Sequence, residues 1–327
     1  METLMIYGAT GYTGRMAAEH ATAAGLRPIL GAREKSEVAA LGSELGVDHR
    51  VFGLDSSAAV DEALSDVTVL LNCAGPFART AEPLMTAAIG SETHYLDIAA
   101  ELDSYHLAET LHEQATAAGV MLLPGSGGSV AMLGCLAAHA AERVEGAQHI
   151  RLALHVAGSM SRGSAFSAAE SLTTRCLERA DGTLVERNPE QSRDFDFGDG
   201  PVSCFPVTLP DLVTIWQATK VPNIETYVHV SGDAFPQGDL ATLPDGPTAE
   251  QRHANRYQAS VEVSGADGRV ARSVLDTVNG YTFTPLAAAE AARRVLDGEH
   301  QPGFHTPAGL FGRGFAGTIA DTRIVDL

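Results

Sequence analysis

Short apolar runs alternate with longer amphipathic stretches through the first 125 residues of the chain. The runs fall at 3–7, 27–31, 49–53, 67–72, 94–98 and 120–123, and read as strands. The stretches between them, at 13–24, 34–45, 57–64, 80–89 and 102–118, carry helical spacing. Strands alternating with helices of this length predict an α/β fold built on a doubly wound parallel sheet. Val67-Thr68-Val69-Leu70-Leu71 is almost wholly apolar, as expected of a strand covered on both faces. The pattern changes after an Ala-rich helix at 129–143. Longer strands follow at 150–156, 202–207, 226–231, 257–264 and 269–280, with a hairpin signal at Ala266-Asp267-Gly268. A helix is predicted at 164–180 and surface loops at 181–201 and 235–253. Another helix is predicted over 285–297, with Thr284 as its cap and Pro285 at its first position. The reading is a first domain over 1–128 and a second, α+β domain over 129–284 with a mostly antiparallel or mixed sheet. No internal repeat is visible.

One loop within this pattern carries chemistry. Gly8-Ala9-Thr10-Gly11-Tyr12-Thr13-Gly14 sits directly behind the first strand and opens the first helix. In a strand–turn–helix of this kind the first glycine permits a tight turn and the second lets backbone approach a pyrophosphate. The third allows close packing of helix on strand. The helix N-terminus offers N–H groups and the positive end of its dipole to an anion. Gly8, Thr10, Gly11, Tyr12, Thr13 and Gly14 are therefore candidate dinucleotide-binding residues. The second strand ends at Ala32-Arg33. An acid at this tip would select the ribose hydroxyl of NAD; an arginine favours the 2′-phosphate of NADP, which its planar fork can grip through two parallel bonds. Glu34 is expected to open the next helix. Asp55, after the third strand, is either an adenine contact or a cap for the helix at 57–64. Cys73-Ala74-Gly75-Pro76-Phe77 follows the fourth strand, where small residues let the chain pass beneath a cofactor. NADP(H) is the expected cofactor.

Charge and cysteine usage narrow the partners. The 327 residues carry a formal net charge of −19, and Lys35 and Lys220 are the only lysines. Such a surface repels nucleic acid and anionic membrane, and a site for an anionic cofactor must gather its few cations locally. No stretch reaches the roughly 18 apolar residues a membrane span needs. A strand starting near residue 3 leaves no room for a signal peptide, so a cytoplasmic protein is expected. Cys73, Cys135, Cys176 and Cys204 stand far apart, without the spacing of a disulfide framework or metal site, and read as reduced thiols. No metal is expected.

As a group, Gly8–Gly14, Gly31-Ala32-Arg33, Leu71–Phe77 and His94-Tyr95-Leu96-Asp97-Ile98-Ala99-Ala100-Glu101 resemble the saccharopine dehydrogenase/reductase-like oxidoreductases. The ending Gly303–Gly312 is similar to their C-terminal segment. The resemblance covers most of the chain and is dense over the first 135 residues. It implies a Rossmann-type NADP-binding domain, a substrate domain after it, and a return of 285–327 to the first domain. It also implies hydride transfer, in the best-known members at a carbon–nitrogen bond. Two departures concern the substrate. Members often carry Gly-Glu where this chain has Ala100-Glu101. Many carry an Asp in the turn after the sixth strand, where this chain reads Pro124-Gly125-Ser126-Gly127-Gly128-Ser129.

The substrate chemistry stays open at several positions. Ser126, Gly127 and Ser129 form either a second anion-binding helix start or a domain joint capped by Ser129. Tyr95, Asp97 and Glu101, at the end of the fifth strand, are the candidate catalytic residues for orienting substrate or passing a proton; the alternative is structural hydrogen bonding beneath the crevice. Arg162 could meet an anionic substrate. Arg175 and Arg179, four apart on the helix at 164–180, read as a solvated face, and His155, His229 and His305 as satisfied sheet histidines. The chain has no Tyr-x-x-x-Lys, no Gly-x-Ser-x-Gly and no Gly-x-x-x-x-Gly-Lys, which excludes the common short-chain dehydrogenase base, a hydrolase elbow and a phosphate loop. Two functions compete. One is an NADP-dependent oxidoreductase acting on C=N, C=O or C=C in a small molecule. The other is a non-catalytic NADP(H)-binding regulator or redox sensor. The second sheet is a candidate homodimer surface.

Overall fold

Burial separates the strands of the first half from its helices. Leu4–Tyr7 and Val69–Asn72 are buried at every position, whereas the first helix buries only its small stripe of Gly14, Ala17, Ala18 and Ala21. A computed structural model of the protein describes residues 2–171, 175–232 and 239–327. In chain order, the first elements are β1 (Leu4–Tyr7), α1 (Tyr12–Ala23), β2 (Ile29–Ala32), α2 (Lys35–Leu45), β3 (His49–Val51) and α3 (Ser57–Leu64). Then come β4 (Val69–Asn72), α4 (Phe77–Gly90), β5 (His94–Asp97), α5 (Leu102–Thr110), α6 (His112–Ala117) and β6 (Met121–Leu123). The middle of the chain holds α7 (Gly128–Ala141), β7 (Ala147–Ala157), α8 (Arg162–Ser171), β8 (Leu177–Ala180), β9 (Thr183–Glu186), β10 (Arg193–Asp196) and β11 (Pro201–Pro206). The last part runs through α9 (Asp211–Thr219), β12 (Asn223–Ser231), α10 (Ala249–Ala254), β13 (Tyr257–Gly265), β14 (Val270–Thr277) and α11 (Gly280–Leu296), then β15 (Gly303–Phe304), α12 (Pro307–Phe311) and β16 (Arg323–Asp326). These elements group into two compact units, 1–128 with 284–305, and 129–283 with 306–327.

The first unit is a seven-stranded sheet in the order β15-β6-β5-β4-β1-β2-β3, parallel at every pairing. Strand order reverses between β1 and β4. In open sheets of this type the loops leaving the carboxyl ends at that reversal frame a ligand crevice. Here those loops are Gly8–Gly11 and Cys73–Pro76. The second unit is a mixed nine-stranded sheet. Its long central strand β7 pairs in parallel with β12 and antiparallel with β13. The β13–β14 hairpin turns at Gly268, whose φ of +82° needs glycine. The α/β architecture with a second mixed sheet agrees with the reading from the sequence.

Several element assignments are corrected. The helix expected at 164–180 ends by Ser171 as α8, and Leu177–Ala180 is a strand paired with β9; residues 172–174 lie outside the described residues. Asp181 and Gly182 both take positive φ, making the two-residue turn that suits a twisted hairpin. Arg179 therefore sits in a strand. It is buried, donates to the carbonyls of Leu212 and Gly182, and lies 5.1 Å over the Trp216 ring. Arg175 is exposed in the segment before β8. The span 181–201 holds β9 and β10. In 235–253, Ala249–Ala254 is a helix with a capping box from Thr248 and Gln251, and 233–238 lie outside the described residues. Helix α9 was not foreseen. Helix α11 starts at Gly280, one turn before the expected cap, because Asn279 accepts from the amides of Tyr281, Thr282 and Phe283; Pro285 falls inside it. The expected return over 285–327 stops at His305. Residues 306–327 group with the second unit, where β16 pairs with β14 and Asp326 meets Arg143 and His139.

Candidate functional site

The geometry at the head of α1 requires its glycines. Gly8 has φ +77°, and a Cβ there would stand 2.8 Å from the backbone nitrogen and the Cβ of Ala74. At Gly14 a Cβ would stand 2.2 Å from the carbonyl oxygen of Gly8. A Cβ at Gly11 would approach only that same carbonyl, at 3.3 Å. The outer two glycines thus let strand, helix and neighbouring loop close on one another, while the middle one lies exposed at the helix entrance. Gly11 caps α1 without any side-chain bond, and no acid occupies the first turn. The anion-attracting end of the dipole is therefore not neutralised by the chain itself. Thr10, Tyr12 and Thr13 are half-buried around this entrance.

Cations gather on the same edge. Arg33 is exposed just past Ala32, the last residue of β2, and Lys35 opens α2. Arg79 stands in the first turn of α4. Nearly every arginine of the chain is engaged by carboxylates, carbonyls or rings, yet Arg33, Lys35 and Arg79 have no ion pair or hydrogen bond among the described residues. The Tyr7 hydroxyl lies in the field of both Arg33 and Asp55; burial is the larger influence and holds it above the usual phenol range. Asp55 is exposed and does not cap α3. Ser56 does so, accepting from the Ala59 amide at 3.3 Å. Glu34 takes the cap position of α2 without a side-chain bond.

The β4 loop is fastened from below. Cys73 is buried, its amide donates to the Tyr7 carbonyl at 2.8 Å, and burial holds its thiol well above the usual range. Gly75–Pro76 is a cis peptide, and Phe77 is buried at the start of α4. Beneath this loop runs a chain of buried polar groups. Asn72 Oδ1 accepts from the Ala74 amide at 2.9 Å, and its Nδ2 donates to the Tyr95 hydroxyl at 3.1 Å and to Thr80 Oγ1 at 3.2 Å. Thr80 donates in turn to the Ala74 carbonyl at 2.6 Å. Tyr95 donates to Asp97 Oδ2 at 2.9 Å. Asp97 Oδ1 accepts from the amides of Ala99 at 2.9 Å and Gly125 at 2.7 Å. Burial pushes Asp97 up to about 6 against those bonds.

Tyr95 and Asp97 were candidate catalytic residues. Both are 0% exposed with every polar atom engaged inside the protein, which is the structural hydrogen bonding given as the alternative. Glu101 is half-buried at the cap of α5, with Oε2 accepting from the Ala100 amide at 2.9 Å. The segment 126–129 is open in the sequence between an anion site and a joint capped by Ser129. The Ser126 hydroxyl turns inward to the Asp97 carbonyl at 2.8 Å, and a Cβ on Gly127 would stand 2.7 Å from the Thr284 carbonyl oxygen. Ser129 lies in the first turn of α7 instead of capping it. Arg162 is paired with Asp245 and donates to the Leu243 carbonyl at 3.1 Å. His155 is bonded to Ser231 at 2.8 Å and rests against His229 and Phe197; burial holds it below the usual imidazole range. His229 and His305 contact the carbonyls of Ser203 and Pro302. Sequence reasoning missed Thr80 and Arg79 and gave Lys35 no role. The rarity of lysine in the chain was the one available signal.

Part of the chain is similar to known proteins. Residues 4–123 match the family model of the saccharopine dehydrogenase NADP binding domain. Saccharopine dehydrogenase-like oxidoreductases of Rattus norvegicus and Bos taurus are each 31% identical over 146 residues, which covers 38% of this chain and 34% of theirs. The match thus spans about a third of those relatives' length. The structure of apo histidine-tagged saccharopine dehydrogenase (L-Glu forming) from Saccharomyces cerevisiae superposes with a TM-score of 0.69 at 12% identity, covering 100% of both chains, and shares the fold. No helix among the described residues is long and apolar enough to cross a membrane. Residues 4–123 are thus similar to the saccharopine dehydrogenase NADP-binding domain, and the match gives NADP(H) as the cofactor.

Proposed function

We propose that this protein is an NADP(H)-dependent oxidoreductase that moves a hydride between the cofactor and a C=N, C=O or C=C bond of a small organic substrate. The observation carrying the proposal is the pairing of a glycine cradle at 8–14 with unengaged cations at the tip of β2. The amides at the start of α1 bind the pyrophosphate, and Gly11 leaves it room. Arg33, with Lys35 beside it, binds the 2′-phosphate. Asp55 lies at the adenosine end. Ala74, Gly75 and Pro76, with Cys73 and Phe77 buried beneath them, floor the path toward the nicotinamide. When bound, NADPH supplies the hydride. The protein supplies binding, orientation and exclusion of water, and a polarised acceptor needs little beyond positioning.

Charge-assisted bonds to a phosphate contribute about 1.5–3 kcal/mol each, so Arg33 should favour NADP⁺ over NAD⁺ by about ten- to a hundredfold. Calorimetric titration of both cofactors tests this. Arg33→Glu should erase or reverse the preference, and equal affinities in the unmodified protein would remove the assignment. The burial of Tyr95, Asp97 and the Ser126 hydroxyl favours a second reading, a non-catalytic NADP(H)-binding regulator, because no proposed donor of the first unit except Glu101 reaches the surface. A panel of imines, ketones and enones separates the two. NADPH consumption with any of them supports the enzyme. A partner protein whose binding follows cofactor redox state supports the regulator.

A further inference from the structure

The hydrogen bonds beneath the β4 loop can run in only one direction. Asn72 is fixed in orientation, since its Oδ1 accepts from Ala74 and its Nδ2 also donates to Thr80, whose own proton goes to the Ala74 carbonyl. Asn72 therefore presents N–H, never a carbonyl, to the Tyr95 hydroxyl. The Tyr95 proton has one destination, Asp97 Oδ2. The other carboxylate oxygen faces two amides, from Ala99 and Gly125, and accepts from both. The turn at Gly125 is held a second time by Ser126, whose amide and hydroxyl both donate to the Asp97 carbonyl. One buried carboxylate thus ties together the β4 loop, the 97–99 segment and the turn after β6.

A proton added to Asp97 has to sit on Oδ2, because Oδ1 is occupied by donors. It then points at the Tyr95 oxygen, and the tyrosine's own proton is left facing the Asn72 amide hydrogens in a site that is 0% exposed. Among the described residues, Tyr95, Cys73 and Glu101, from β5, the β4 loop and the cap of α5, are the other titratable groups bearing on Asp97, and Tyr105 bears on Tyr95. Each is neutral or negative, so none offers a countercharge. We infer that Asn72, Tyr95 and Asp97 form a one-way hydrogen-bond chain of positioning residues, which holds the 73–77 loop and the Gly125–Ser126 turn in place only while the Asp97 carboxyl is ionised. The chain makes cofactor binding proton-sensitive, a consequence that rests on reading the 73–77 loop as cofactor floor. Burial places the ionisation at about 6, within reach of ordinary buffers.

Nuclear magnetic resonance of the isotope-labelled, cofactor-free protein tests the chain itself. Between about pH 7.5 and about pH 5 the amide signals of Ala74, Ala99 and Gly125 should move together with one midpoint. In Tyr95→Phe, Ala99 and Gly125 should keep a midpoint while Ala74 stops titrating. Amides that move independently, or an Ala74 signal that titrates unchanged in Tyr95→Phe, would overturn the inference. Calorimetry with NADP⁺ tests the consequence. Affinity should fall about tenfold one pH unit below the midpoint, as expected when binding requires the ionised form, and clearly less in Tyr95→Phe. The 2′-phosphate of the cofactor titrates alike with both proteins and cancels in the comparison. Coupled amides without NADP⁺ binding at any pH would sustain the chain and remove the cofactor reading. Binding without coupled amides would sustain the cofactor reading and remove the chain.

Discussion

A Cβ on Gly14 has nowhere to go, since the Gly8 carbonyl oxygen stands 2.2 Å from its ideal position and the obstacle is backbone. Gly14→Ala must push α1 off β1, at about 1–3 kcal/mol for overpacking, and urea unfolding should register that loss together with weakened NADP⁺ binding. An unchanged midpoint would mean the helix shifts freely. Glycine loops of this kind are legible in a sequence because backbone geometry alone demands the residue. Tyr95 and Asp97 were legible only halfway. Alternation along β5 places them on one face, but it does not say whether that face meets solvent or the underside of two loops. Asp211 illustrates the same blind spot. It opens α9, is 0% exposed, and neither carboxylate oxygen has a hydrogen-bond partner among the described residues. Burial pushes it up to about 7. Its folded pKa lies above its unfolded value, so the stabilisation is complete below about pH 4 and is lost as pH rises toward 7. Asp211→Asn removes that dependence. Thermal melts of the two proteins should converge near pH 4 and separate toward pH 8, with the variant ahead by a few kcal/mol. A constant gap across that range would place the titration elsewhere.

Elements were legible where one physical signal dominated. The parallel strands β1 and β4 are apolar throughout or nearly so, and their helices carry clean stripes, so both were readable from periodicity. The second unit defeated the same reading at β8–β10. Those strands are four residues each, alternate weakly, and are bounded by charged segments that also suit a loop. Strand β15 is shorter still, two residues, and is defined by tertiary contacts. The Gly303 and His305 amides donate to the carbonyls of Val120 and Leu122, and the Phe304 amide donates to His112 Nδ1 at 3.0 Å. Gly303 takes φ +94°, and a Cβ there would stand 2.7 Å from His112 Cε1 and Thr116 Oγ1. Gly303→Ala combines left-handed strain of about 1–2 kcal/mol with that clash, and should detach β15 from β6. Hydrogen exchange should then quicken at the Gly303 and His305 amides while β1 and β4 stay protected. Unchanged exchange at the edge would show that the strand tolerates a side chain there.

At the scale of the whole molecule, charge works against the proposed ligand. The protein carries a formal net charge of −19, and the cofactor is itself an anion, so the long-range field opposes their approach. The contacts at the tip of β2 act over a few ångströms and oppose that field only at the end of the encounter. Salt separates the two contributions, because charges farther apart than about 10 Å are largely screened at 0.1 M while close pairs are screened much less. Raising NaCl from about 20 mM to about 200 mM should therefore speed NADP⁺ association, the reverse of what a cationic binding surface gives, and dissociation should quicken as the 2′-phosphate contacts weaken. Stopped-flow measurement of both rates decides the matter. Arg33→Glu should keep the salt acceleration of association, since one residue barely alters the total charge, yet lose most of the salt dependence of dissociation. Association that slows with salt would mean that Arg33, Lys35 and Arg79 govern the field at the crevice from the start of the encounter, and that the acidity of the rest of the chain is directed away from it.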